Sequence, residues 1–148
     1  MTRMSEAWPS LFRFTVGIYW LYFASMKWTG VEWMKGLIQS AGPANPIPGL
    51  REILINVVAP NWYAFAILQT IGETVVGVLL VLGLATRWAG ILGLLLAVNL
   101  ALVVAFEVTD GGFQWLYYLA VLVSAQVIVS GPGPYALSRF AWVPRLLR

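Results

Sequence analysis

The sequence contains no cysteine and no histidine. Without cysteine there are no disulfides, thiolate nucleophiles, iron–sulfur ligands or cysteine-zinc sites. Without histidine, imidazole metal sites, a Ser-His-Asp triad and histidine-ligated haem are excluded. Charge is scarce as well: 10% of the 148 residues are charged, against about 25% in an ordinary soluble domain. A water-soluble globule does not fit that composition, and neither does disorder, which needs low hydrophobicity and high charge. The net charge of +3 is too dilute for a nucleic-acid footprint. Any chemistry must use carboxylates, Lys, Arg, Tyr or Trp, or belong to a partner or soluble cofactor. This chain is expected to ligate no metal or haem.

What is present in excess is apolar: 60% of the residues are hydrophobic. Trp88 to Phe106 is a run of 19 uncharged residues and Gly111 to Ser138 a run of 28. A spanning helix needs about 20 mostly apolar residues. The sequence predicts an all-α membrane protein, a bundle of four transmembrane helices at about 9–28, 61–84, 88–107 and 113–130. The first is the least clean, because Arg13 and Lys27 must snorkel toward the head groups. Its rival reading is a cleaved signal peptide ending near Ala24 and Ser25, but Lys27, Trp28 and Trp33 continue as an interfacial anchor. Trp62, Tyr63, Trp115, Tyr117 and Tyr118 at one boundary, and Trp8, Trp88 and Trp142 at the other, form the expected aromatic belts. One boundary holds Arg3, Arg13, Arg87, Arg139, Arg145 and Arg148, the other Lys27, Lys35 and Arg51. Six against three predicts both termini in the cytoplasm. The whole chain, 1–148, is read as one membrane domain.

Between the first two spans, the interfacial loop 29–60 carries Pro43, Pro46 and Pro48, which forbid one continuous helix. After them Leu50, Ile53, Leu54, Val57 and Val58 mark a short amphipathic helix in the first outer loop. Gly83 can end the second span and Thr86 can cap the third. Gly93, Ala97 and Ala101 form a small-residue packing stripe. Gly131-Pro132-Gly133-Pro134 stops the fourth span, and the remainder, 131–148, reads as a basic interfacial tail on anionic lipid.

Glu73 is the one acidic residue deep inside a span, and such a group usually faces the bundle interior with a partner. Gln69 and Thr70 share its helix face. Asn99 lies as far after Thr86 as Glu73 lies before it, so an antiparallel hairpin puts the two at one depth. Lys27 is the candidate ion-pair partner. The pair reads either as a polar latch that sets helix register or as the candidate catalytic pair, a protonatable carboxylate with its cation beside a small-molecule site. In the second reading Gln69, Thr70, Asn99 and Trp62 would hold a cofactor.

Several of these features resemble the DoxX/DoxD family of small membrane proteins. Arg13-x-x-x-Gly17 with Lys27 is similar to the family's R-x-x-x-G…K. The run from Glu73 through Gly77, Leu80, Leu82-Gly83-Leu84 and Thr86-Arg87 resembles E-x-x-x-G-x-x-L-x-L-G-L-x-T-R. Gly131 to Ser138 resembles the closing G-x-G-x-x-S-L-D, with Ala136 in place of the Ser and Ser138 in place of the Asp. The resemblance implies a four-helix bundle in a bacterial or archaeal cytoplasmic membrane. It implies a subunit of a quinone-linked oxidoreductase, thiosulfate:quinone in the DoxD branch, acting with other membrane or redox subunits. The expected ligands are a quinone and a small anion drawn in by Lys27, Lys35 and Arg51. The alternative is a non-catalytic accessory subunit packed against a larger respiratory or photosynthetic complex.

Overall fold

The computed structural model describes residues 2–140, 143 and 144, with side chains from Glu6 onward. Trp142, Arg145, Leu146, Leu147 and Arg148, and the side chain of Arg3, lie outside the described residues. Among the described residues six α-helices follow one another: α1 (Thr2–Trp28), α2 (Trp33–Ala44), α3 (Pro48–Ile53), α4 (Trp62–Leu82), α5 (Thr86–Val103) and α6 (Gly111–Ser130). Among the described residues there is no strand. Three helices, α4, α5 and α6, are long and apolar enough to cross a membrane. The chain is a membrane protein whose exposed helix faces suit contact with lipid: Leu68, Leu95, Leu122 and Val129 all point outward.

α1 packs chiefly on α4, α6 chiefly on α5, and the α4–α5 hairpin joins the two pairs. The first pair closes at facing glycines. A methyl group on Gly17 would lie 2.8 Å from the Val81 nitrogen, and one on Gly77 would lie 2.6 Å from Leu21 Cγ. The absence of side chains there lets the two backbones approach. Val16, Trp20, Val76, Leu80, Ala89, Ala97, Ala120 and Val127 form the shared core. Gly93, Ala97 and Ala101 are buried on α5, on the face toward the bundle interior.

Gly83 ends α4 in the left-handed region at φ 69°, and Ala85 follows at φ 44°. The expected cap is displaced by one residue. Ala85 occupies the N-cap position of α5, while Thr86 is its first helical residue, with its buried hydroxyl unpartnered. Two left-handed residues turn the chain so tightly that the helix starts before Thr86 can serve as cap.

Three further differences from expectation have local causes. α1 begins at Thr2 and continues through Pro9, where the helix forgoes the hydrogen bond to the carbonyl four residues before. α5 stops at Val103, short of 107, where Asn45 Nδ2 donates to the Leu102 carbonyl at 2.7 Å and the Ala105 amide reaches back to Leu100. The 29–60 segment is a folded cap. α2, which no sequence signal singled out, lays Met34 with Val31 against Ala66 of α4. The amphipathic stretch is α3 plus one wide helical turn, Leu54–Val58, of which Leu54 alone is fully buried.

Candidate functional site

The buried polar groups gather at two levels along α1. At one end Arg13, 2% exposed, reaches out of α1 to four backbone carbonyls. Its guanidinium donates to Leu80 and to Val81 (3.1 Å) in the last turn of α4, and to Pro132 (3.1 Å) and Tyr135 (3.1 Å) beyond α6. The carbonyls at a helix C-terminus lack partners within the helix and carry partial negative charge, which suits a cation. Ser10 Oγ accepts the Tyr135 amide at 3.0 Å, and the Ser138 amide donates to the Gly83 carbonyl at 3.2 Å. The start of the expected interfacial tail is therefore docked across this end of the bundle. Sequence reasoning read Arg13 as a flanking charge. Its acceptors are main-chain carbonyls up to 122 residues away, which no side-chain pattern announces.

At the other level Lys27 of α1 and Glu73 of α4 meet. Lys27 Nζ lies 2.8 Å from Glu73 Oε1 and 2.6 Å from Oε2. Glu73 is fully buried and Lys27 nearly so. Gln69, one turn before Glu73, donates its amide to Oε1 at 2.9 Å. Beside this trio Trp28 Nε1 donates to Thr74 Oγ1 at 3.0 Å, tying the end of α1 to α4 again.

The trio forms part of the wall of a cavity of about 680 Å³. The cavity lies between the α1/α4 and α5/α6 pairs and is roofed by Trp33, Met34, Leu37 and Ile38 of α2 together with Leu54 and Val58. Its lining starts at Tyr19 on α1, Leu96 on α5, Phe65 on α4 and Phe113 on α6, and no lining residue lies on the Arg13 side of Tyr19, Glu73, Leu96 or Tyr117. Trp20 closes the floor, its indole N–H buried and without an acceptor. Apolar and aromatic walls with a few converging polar groups are the usual make-up of a small-molecule site.

The six residues singled out from the sequence divide. Lys27, Glu73, Gln69 and Asn99 all line the cavity. Asn99 shares the depth of Glu73 but makes no hydrogen bond to it; Gln69 takes that place, and the Asn99 amide is exposed on the cavity wall. The reason is helical phase. The buried stripe of α5 runs through Gly93, Ala97 and Ala101, and Asn99 stands about 200° around the helix from Ala97 at 3.6 residues per turn. Thr70 is buried outside the cavity, its hydroxyl bonded to the Ala66 carbonyl of its own helix at 2.8 Å. Trp62 also lies outside it, against Val31 and Met34, with Lys35 Nζ 5.8 Å above its ring. Trp20 and Tyr117, absent from the sequence reading of the polar site, belong to the lining, as does Tyr19 of α1.

The three cations expected to draw in an anion each have a separate partner. Lys27 is held by Glu73, Lys35 lies over Trp62, and Arg51 donates to the Asn45 and Pro43 carbonyls at 2.9 and 3.1 Å. Asn45 is itself buried, and its side chain accepts the Ile47 amide at 3.0 Å, so Arg51 and Asn45 together lock the corner between α2 and α3.

Neither the curated proteins nor the solved structures contain a match to this chain. The DoxX family model matches residues 9–106, a stretch that begins in α1, takes in the Lys27–Glu73 pair and ends just past α5. With two thirds of its length covered, the chain belongs to the DoxX family.

Proposed function

We propose that this chain is the membrane subunit of a quinone-linked oxidoreductase and that the cavity beside Lys27 and Glu73 is its quinone site. The observation that carries the proposal is the cavity itself: apolar walls deep in the helix bundle, with Lys27, Gln69, Glu73 and Asn99 as its polar groups. A quinone supplies a lipid-soluble acceptor for two electrons and two protons. The residues fit such a group, because the site keeps hydrogen-bond donors in reserve. Lys27 has a third N–H, Gln69 a second and Asn99 a free amide.

In this reading Lys27, Asn99 and Gln69 hold and orient carbonyl oxygens. Glu73 holds the Lys27 ammonium in place and is the one carboxylate in the cavity lining. Water is excluded by the α2 roof and the Trp20 floor. α1 is the fourth span: its two buried cations are neutralised within the bundle, so neither has to face hydrocarbon alone. Both termini lie in the cytoplasm of a bacterial or archaeal cell, and a partner subunit delivers electrons, from thiosulfate in the DoxD-like version.

The test is gentle purification followed by extraction and identification of bound quinone. The expected result is a quinone retained in near-equal amount with the protein and lost from Asn99→Leu. Quinone no more abundant than in the surrounding membrane lipid, with a large redox complex co-purifying instead, would replace this reading by the accessory-subunit one.

A further inference from the structure

We infer that the cavity exchanges its ligand sideways with the bilayer, through the gap between α1 and α6, and that it selects a neutral head group bearing an apolar tail. The inference rests on the cavity being the ligand site proposed above.

Four sides of the cavity are closed to different degrees. Toward Arg13 the bundle is solid: Trp20 forms the floor, and beyond it come the Gly17–Gly77 contact and the docked 131–139 segment. At the opposite end α2 and Leu54 form the roof. Between α4 and α5, which pack more extensively, Leu96 lies against Gly72, where a methyl group would be 3.1 Å from it, and Phe65 and Leu68 of α4 edge the cavity beyond that contact. Of the packed pairs among the four long helices, α1 and α6 touch least. There the cavity wall ends in Tyr22, Met26, Phe113 and Leu116, which are 60%, 47%, 60% and 43% exposed. Exposed aromatic and aliphatic side chains at the edge of an internal cavity make a passage suited to an apolar chain.

The charge balance selects the head group. Lys27 and Glu73 cancel, and both carboxylate oxygens are already occupied. An anion would gain one ammonium proton but would sit beside a buried carboxylate, where like-charge repulsion is weakly screened. A neutral head with acceptor oxygens can take the spare N–H groups of Lys27, Gln69 and Asn99 without setting a second negative charge beside Glu73. Its tail then leaves between α1 and α6, the least closely packed pair of the long helices.

The experiment uses the absence of native cysteine. Leu116→Cys, at the α1/α6 gap, and Leu68→Cys, at the competing exposed edge of the cavity on α4, are each folded, purified and then alkylated with a bulky apolar maleimide. Each protein is immobilised in detergent and loaded with a tritiated decyl-tailed benzoquinone, and its release is timed. The label at 116 is expected to slow release by about tenfold, the label at 68 to leave it within about twofold of the unlabelled protein. A decyl sulfonate probe is expected not to be retained. Unchanged release with 116 labelled, slowing by the label at 68 instead, or equal retention of the sulfonate would overturn the inference while leaving quinone binding intact. Failure of the unmodified protein to retain the quinone would remove the ligand reading and this inference together.

Discussion

Arg13 and Lys27 sit on one side of α1, 14 residues apart and so about 21 Å apart along the helix, and the two ends of the bundle differ in how each cation is neutralised. Arg13 spreads its charge over main-chain carbonyls of α4 and the 131–135 segment. Those acceptors are part of the backbone and leave nothing unsatisfied. The surrounding helices close on glycine, and the cavity lining stops short of this end. Lys27 is met by one carboxylate, itself braced by one amide. That arrangement leaves donors over, and the helices around it stand apart. One cation fastens the bundle; the other furnishes a polar wall for a ligand. The fork of a guanidinium suits the first task and the compact ammonium the second.

The largest way to break this contrast is to remove one member of the buried pair. Lys27→Met leaves Glu73 buried without its cation, a loss of about 3–5 kcal/mol. Glu73→Gln leaves the ammonium in the same position and should cost a similar amount. The double variant should regain much of either loss in a thermal melt in detergent, because no lone charge remains. Additive losses in that melt would mean that the pair is not coupled.

Arg13 comes next. Arg13→Met strips the donors from several buried carbonyls at once, a loss on the order of 3 kcal/mol. Since those acceptors carry no formal charge, no second-site substitution should rescue it as Glu73→Gln rescues Lys27→Met. Arg13→Lys should recover part of the stability, because an ammonium cannot reproduce the planar fork. Limited proteolysis should cut within 131–139 in Arg13→Met and spare it in the parent protein. A protease pattern unchanged by Arg13→Met would mean that the segment is held by Ser10 and Gly83 without Arg13.

The same contrast shows what a sequence discloses. Hydropathy runs and short polar turns announce α4, α5 and α6, because lipid forces long apolar stretches. Glu73 stands out because a carboxylate in such a stretch needs a partner, and depth along the helices pointed to Lys27. Helical phase was harder to read. Asn99 has the right depth and faces the cavity, yet it stands off Glu73, while Thr70 bonds its own helix. The Arg13 end was illegible as a site because its acceptors are carbonyls, which every residue carries. α2 was hidden because its helix ends in a proline-rich stretch, with Pro43 inside its last turn. Its role as the roof depends on packing against α4, and Asn45 acts through a single carbonyl of α5.

The most direct test of a division between a fastening end and a ligand-holding end is the rise in Tm that a decyl-tailed benzoquinone gives to each variant. Asn99→Leu should keep a near-parental Tm without ligand, since its side chain is exposed on the cavity wall outside the Lys27–Glu73 network, and such a change costs within about 0.5 kcal/mol. The account also predicts that this variant loses the ligand-induced rise. Arg13→Lys should show the reverse: a lower Tm without ligand and a rise on binding equal to that of the parent protein. A full ligand-induced rise in Asn99→Leu, together with its loss in Arg13→Lys, would contradict the account.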